Sequence, residues 1–253
     1  MLRDERLDKM NDFVHLQKYV TIDELMEEFQ ISRATVRRDL DILSDRGLVT
    51  LTRGGARGNT IPELEAPYQK KLEANPQEKA RIGAKATEMI LDNQAVFIDT
   101  GTTTREMVPY LLQRKNIHIV TNDIHIATQL THNVDIDITV TGGKVRKGYY
   151  TLRGHTTEAF LKQLHVDMAF VSLDAIDYKF GCSVTNMDEV LIKQMMVSAS
   201  CKTIALCDHS KFETFANWKV CELADIDLYI TGKEISKDIL TKYEANSIQF
   251  KIV

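Results

Sequence analysis

From Ala95 onward, short apolar β-prone runs alternate with helix-length segments, and this alternation restricts the fold of the 253-residue chain more than any other feature. The runs are Ala95-Val96-Phe97-Ile98, Ile117-His118-Ile119-Val120, Ile136-Asp137-Ile138-Thr139-Val140, Met168-Ala169-Phe170-Val171, Lys202-Thr203-Ile204-Ala205-Leu206-Cys207 and Leu228-Tyr229-Ile230. Ile248-Gln249-Phe250-Lys251-Ile252 follows as a last, edge strand. Helices are expected over 103–112, 124–131, 155–163 and 188–200. Another, with Asn75 as N-cap and Pro76 at its first position, runs through Ala80, Ile82, Ala86 and Ile90 to Asp92-Asn93. Such alternation implies a mostly parallel sheet covered on both faces. Ligands of open parallel sheets bind outside the carboxyl ends of the strands.

The N-terminal part is built differently. Thr21-Ile22-Asp23-Glu24 has the form of a capping box, and Ile22, Leu25, Met26 and Phe29 give the spacing of a short amphipathic helix. After Gln30-Ile31, Ser32 is placed to cap a second helix. Val36, Leu40 and Leu43 form its buried stripe, while Ala34, Thr35, Arg37 and Arg38 fall on the other side. Asp41 and Asp45 lie farther along that side and would repel phosphate, so only the first two turns suit a DNA groove. Two helices joined by a tight turn, the second rich in arginine, make a helix-turn-helix. Gly47 is placed to end the second helix as its C′ residue. The β-prone stretch 48–52 and Arg53-Gly54-Gly55-Ala56-Arg57 then read as a small wing with arginines for backbone phosphate. Residues 3–18, with Leu7, Met10 and Val14 inward, complete a three-helix module.

This segment resembles the winged helix-turn-helix of the DeoR family of transcriptional regulators. Ser32-Arg33-Ala34-Thr35-Val36-Arg37-Arg38-Asp39-Leu40 is similar to its helix signature, and Gly54-Gly55-Ala56 to its closing motif. The resemblance implies that Ser32, Arg33, Ala34, Thr35, Arg37, Arg38, Arg53 and Arg57 meet double-stranded operator DNA. Charge distribution agrees. The whole chain carries a net charge of −4, yet residues 31–58 hold six arginines against three aspartates, a net +3. A basic edge on an acidic body suits oriented DNA binding.

Composition excludes other classes. A hydrophobic content of 43% with 27% charged residues fits a globular protein with a real core. No apolar run approaches the ~20 residues of a membrane span, and the first residues lack a signal-peptide core, so a cytoplasmic location and no membrane partner are expected. Cys182, Cys201, Cys207 and Cys221 show no CxxC spacing, so neither a metal site nor a disulfide framework is expected. The domain reading is a DNA-binding domain over 1–57, a linker over 58–75 and an effector-binding and oligomerisation domain over 76–253. Gly58, Pro62 and Pro67 break regular structure in the linker, and Glu63 and Glu65 keep it solvated.

The strand-end loops carry the chemistry. Asp99-Thr100-Gly101-Thr102-Thr103-Thr104 offers hydroxyls and free N–H groups at a helix start, which suits an anion such as phosphate. Gly101 would allow the tight turn. In Thr141-Gly142-Gly143-Lys144-Val145-Arg146, paired glycines let the backbone approach a ligand, and Lys144 or Arg146 either offsets its charge or stays a solvated cation. Asp208 and Lys211, three residues apart, either bond a sugar or pair structurally.

These loops resemble the family's C-terminal effector domain, whose fold is similar to ribose-5-phosphate isomerase. The resemblance implies that Asp99, Gly101, Thr102, Thr103 and Thr104 hold a phosphate, with Asn122, Glu189, Lys193, Asp208 and Lys211 around the sugar. The family's Gly-Ala-Asn-Gly-Ile-Asp loop reads Ser172-Leu173-Asp174-Ala175-Ile176-Asp177 here, so two glycines have gained side chains. If those positions need φ > 0, strain is expected. The family's connector arginine is Lys71. The expected function is a repressor of sugar utilisation, a homodimer or homotetramer without cofactor, released from its operator by a phosphorylated sugar. Two alternatives are an isomerase-like enzyme with Glu189, Asp174 or Asp208 as base and Lys211 as electrophile, and an architectural DNA binder.

Overall fold

The structure is a computed structural model that describes residues 3–17, 19–45, 49–58 and 66–253. Arg46, Gly47 and Leu48, and the connector stretch holding Pro62, Glu63 and Glu65, lie outside the described residues. The chain divides into two units, Met1–Glu63 and Leu64–Val253.

In the first unit, α1 (Arg3–Gln17) leads into a short strand β1 (Tyr19–Thr21), then α2 (Ile22–Phe29) and α3 (Arg33–Asp45), then β2 (Val49–Thr52) and β3 (Gly55–Gly58). The expected capping box is present, with Thr21 Oγ accepting from Glu24 N and Glu24 accepting from Thr21 N at 2.7 Å. Leu7, Met10, Val14, Leu25, Val36, Leu40 and Leu43 form one buried core. The wing is three-stranded, in the order β1-β3-β2. Gly55 passes so close to β1 that an added Cβ would sit 2.0 Å from Val20 O, so no other residue fits there.

The second unit begins with α4 (Tyr68–Glu73), which falls where a linker was expected, and α5 (Pro76–Glu88). Asn75 precedes α5 in the left-handed conformation (φ 50°) and does not cap it with its side chain, contrary to expectation. There follow β4 (Ala95–Ile98), a 3₁₀ turn (Thr104–Met107) running into α6 (Val108–Leu111), β5 (Ile117–Thr121), α7 (Ile124–Leu130) and β6 (Ile136–Val140). A small hairpin, β7 (Lys144–Val145) and β8 (Leu152–Arg153), leads to α8 (His155–Leu161) and β9 (Val166–Val171). Next come β10 (Ala175–Asp177), β11 (Gly181–Val184), α9 (Met187–Ser198), β12 (Ser200–Leu206), β13 (Trp218–Cys221), β14 (Leu228–Thr231), α10 (Lys237–Glu244) and β15 (Phe250–Ile252).

The main sheet runs β15-β14-β12-β9-β4-β5-β6 and is parallel at every pairing. Period-two alternation sends Val96 and Ile98 to one face and Phe97 to the other. The first face packs on Ile82 and Ala86 of α5, on Val108 and Leu111 of α6, and on Ile126 and Leu130 of α7. The second packs on Leu161 of α8, Ile192 and Met196 of α9, and Tyr243 of α10. Strands β10, β11 and β13 form a separate antiparallel sheet that the apolar runs did not announce. Because all seven main strands point the same way, the loops after β4, β5, β9 and β12 share one edge.

Candidate functional site

The first unit presents α3 and the wing. Ser32 Oγ accepts from Thr35 N at 3.3 Å and contacts Thr35 Oγ at 2.9 Å, closing the first turn. Ser32→Ala is expected to lower the stability of the N-terminal unit by ~1 kcal/mol, read as an earlier thermal transition; equal stability would remove the capping role. Ala34, Arg37 and Arg38 are exposed, as are Arg53 at the wing turn and Arg57 on β3. Arg33 is tied to Asp23 of α2. Asp39 of α3, unlike the exposed Asp41, is 1% exposed and held by Arg6 Nε at 2.7 Å. That bond fixes α3 to α1 from behind.

The second unit carries a small, partly open cleft at the C-terminal edge of its sheet. Its lining includes Thr100, Gly101, Thr102 and Thr103 after β4, Ser172, Leu173 and Asp174 after β9, and Glu189 and Lys193 of α9. Tyr68, Lys71, Tyr149, Thr151 and Lys211 complete most of the rim. Of the expected effector residues, Gly101, Thr102, Thr103, Glu189, Lys193 and Lys211 meet here.

Several of the others build the site from behind. Asp99 is fully buried, accepts from Ser172 N at 3.0 Å and pairs with Lys193, which also donates to Ser172 O at 2.9 Å. Burial works against the Lys193 ammonium, but Asp99 and Glu189 outweigh it and hold its pKa above the usual lysine value. Asn122 Oδ1 accepts from Thr100 N at 2.9 Å, and Thr100 Oγ donates to Asp123 at 2.9 Å. Asp123 in turn caps α7. The Thr104 hydroxyl, fully buried, is spent on Gly101 O at 3.1 Å. Two threonine hydroxyls remain: those of Thr102 and Thr103 make no hydrogen bond among the described residues, and neither do the N–H groups of Gly101, Thr102 and Thr103.

Glycine roles differ from expectation. Gly101 does not take positive φ; it is required because an added Cβ would meet Ser172 Cβ and Oγ at 2.5 Å. Gly142 and Gly143 do take positive φ (71° and 118°), but Gly143 backs onto Thr157 and Arg153 O rather than opening to a ligand. Neither Ser172 nor Ala175 has positive φ, so the loop carries the added side chains without the strain they would cause there.

The charged residues sort into committed and available groups. Arg146 donates to Glu189 at 2.6 Å and stacks 3.8 Å from the Tyr149 ring. Lys71 donates to Asp174 at 2.7 Å, and Thr185 N and Oγ occupy the other carboxylate oxygen. Burial opposes ionisation of Asp174, yet Lys71 and Thr185 outweigh it and hold its carboxyl well below the usual range. Asp208 lies outside the lining and accepts from Asn75 at 2.9 Å and from Ser210 N at 3.1 Å. Lys144 is exposed on β7, also outside the lining. Lys211 lines the cleft, and its ammonium makes no hydrogen bond or ion pair among the described residues. Tyr68, Tyr149 and Asp174 were not among the expected binding residues; the Tyr149-Tyr150 pair in an otherwise polar loop was the available signal.

A winged helix-turn-helix followed in the chain by a parallel-sheet unit with a small-ligand cleft defines a ligand-sensing regulator of transcription. Residues 6–61 match the DeoR-like helix-turn-helix domain, and residues 74–233 match the DeoR C terminal sensor domain. The chain belongs to the DeoR family of transcriptional regulators. It is similar to the HTH-type transcriptional regulator GlpR of Haloferax volcanii, with 32% identity over 248 residues covering 98% of this chain and 97% of that protein. The glycerol-3-phosphate regulon repressor of Escherichia coli is 28% identical over 254 residues and covered in full, as is this chain. Among solved structures, ribose 5-phosphate isomerase A of Methanocaldococcus jannaschii shares 14% identity over 55% of each chain, with a TM-score of 0.40. No helix among the described residues is long and apolar enough to cross a membrane.

Proposed function

We propose that this protein is a cytoplasmic repressor of a sugar-utilisation operon, acting as a homodimer or homotetramer and released from its operator by a phosphorylated sugar. The observation that carries the reading is the free donor set of the cleft. Three N–H groups and two threonine hydroxyls on the turn after β4 have no partner among the described residues, and Lys211 is the one lining cation left without an ion pair. A phosphate monoester gains charge-assisted hydrogen bonds from such a set, whereas a neutral sugar does not. A relative named as a glycerol-3-phosphate regulon repressor supports this ligand class, and the transcriptional repressor GlcR of Bacillus subtilis, 29% identical over 252 residues, supports repression.

The carboxylates that an isomerase would use as base are committed to different degrees. Glu189 is tied to Arg146, Asp174 to Lys71 and Thr185, and Asp208 to Asn75 and Ser210. Both oxygens of Asp174 and one of Glu189 are thus engaged, while Asp208 Oδ2 has no hydrogen-bond partner among the described residues. Lys211→Ala is expected to raise the effector concentration for half-release at least ~10-fold, since a hydrogen bond to a charged group contributes about 1.5–3 kcal/mol. Thr103→Val should raise it about fivefold. Calorimetry with a sugar-phosphate panel, paired with mobility shifts on an operator selected from random duplexes, tests both. Binding of none of the panel would overturn the effector assignment.

A further inference from the structure

Three metal-ligating side chains meet at the carboxyl edge of the main sheet, outside the lining of the cleft. Glu78 stands in the first turn of α5, while Asp208 and His209 open the turn that follows β12. Glu78 and Asp208 are 3% and 1% exposed, and the His209 side chain is 36% exposed. One ligand atom from each lies within 4.8 Å of the other two. Glu78 Oε1 accepts from His209 N at 2.7 Å and from Gly232 N at 3.0 Å, and its Oε2 lies 2.7 Å from His209 Nδ1. Asp208 Oδ1 accepts from Asn75, Ser210 N and the Ser210 hydroxyl, yet its buried Oδ2 has no partner among the described residues. Burial opposes ionisation of Asp208, but Lys211, Ser210, Lys79 and Asn75 outweigh it and hold the carboxyl below its usual range. A charged oxygen buried without a donor is costly, and here it points to a partner that the protein itself does not supply.

We propose that Glu78, Asp208 and His209 form a binding site for a divalent transition-metal ion, for which Zn²⁺ is the best match. Two carboxylate oxygens and one imidazole nitrogen suit zinc, whereas Mg²⁺ and Ca²⁺ are held by oxygen ligands. Ligand atoms bound to zinc stand about 3.4 Å apart around a tetrahedron, so a closure of at most about 1.4 Å completes the set. The His209 tautomer with its proton on Nε2 leaves the Nδ1 lone pair for the metal. Glu78 Oε2, beside Nδ1, then meets the ion in place of an N–H. Water takes the remaining position from the exposed side of His209, which is also the way in. The two carboxylates neutralise a divalent ion. Lys79 and Lys211 also lie near, but neither makes an ion pair with Glu78 or Asp208 among the described residues, and Lys79 Nζ is turned to Lys71 O. A bound ion would staple α5 to the turn after β12, the turn that carries Lys211. The site stands independently of the effector reading, since none of its three side chains lines the cleft.

Calorimetry of the full-length, chelator-treated protein with Zn²⁺ tests the site. Zinc is expected to bind saturably, one ion per chain. It should raise the thermal transition of the C-terminal unit by about 5–10 °C at a 100-fold excess over the dissociation constant. Mg²⁺ should do neither. His209→Ala and Glu78→Gln should each weaken binding at least ~100-fold, since even the partners behind metal ligands contribute about 10–100-fold. His209 is half-exposed, so its loss leaves the fold intact and keeps the test decisive if Glu78→Gln folds poorly. The exposed Cys201, 3.3 Å from His165 Nε2, is a competing thiol–imidazole pair, and Cys201→Ser should leave zinc binding unchanged. Absence of saturable zinc binding would overturn the site. Binding that survives His209→Ala, or that is lost in Cys201→Ser, would overturn it too and mark an adventitious ion only. Equal binding of Mg²⁺ would overturn the assignment to a transition metal.

Discussion

Replacing Arg37 or Arg38 with alanine is expected to abolish specific operator recognition and to leave the N-terminal unit folded. Both side chains are exposed on the first turns of α3 and have no ion pair among the described residues, so the fold loses little with them; surface changes of this kind stay within about 0.5 kcal/mol. Loss of a base contact costs about 1–3 kcal/mol, and in a dimer each substitution enters twice. A residue that touches phosphate instead would weaken binding to all sequences and lower the salt slope. Anisotropy titrations of specific and scrambled duplexes over a salt series separate the two roles. Wild-type affinity and slope in both variants would show that α3 docks through another face.

The second large effect is on stability. Lys193→Ala is expected to destabilise the C-terminal unit by about 3–5 kcal/mol, because Asp99 would be left buried without its ion-pair partner. In urea melts this is a lower midpoint with little change in slope. Full burial already pushes the Asp99 carboxyl above its usual range, with Lys193 pulling against it. A raised folded-state pKa means the penalty is small below the unfolded value of ~4 and grows as pH rises. The deficit of the variant should therefore shrink in acid. A midpoint unchanged at neutral pH would mean that Asp99 is satisfied by Ser172 N and Asn122 alone. Lys193 thus acts mainly as the counter-charge that lets a carboxylate order the loops, although it also reaches the cleft floor.

The parallel sheet and the helix-turn-helix were legible because their signals are periodic and local. Seven apolar runs matched the seven strands of the main sheet, and the capping box and the Val36, Leu40, Leu43 stripe held as read. What escaped was set by partners distant in sequence. Asp39 lies beside the apolar stripe of α3, and its meaning depends on Arg6, which no local pattern reveals. Asn75 looked like a cap, but its side chain donates to Asp208 instead. Strands β10, β11 and β13 are short and carry glycine, cysteine and lysine, so they lack the apolar run that marked the main sheet. Within the cleft, residue types identified the loops, but only geometry could divide them. Asn122 and Thr104 spend their polar groups on the turn itself, whereas Thr102, Thr103 and Lys211 keep theirs.

The position of β4 governs what the growing chain looks like on the ribosome. Its neighbours in the sheet are β5, which follows soon after, and β9, which ends only at Val171. Until β9 emerges, Val96, Phe97 and Ile98 lie on a bare edge, the kind of surface that recruits other strands. At ~5–20 residues per second that edge stays open for several seconds, while the DNA-binding unit ahead of it is already complete. Nascent chains stalled between β6 and β9 therefore leave β4 open to pairing with other strands, and a chaperone that shields β4 would act in that interval.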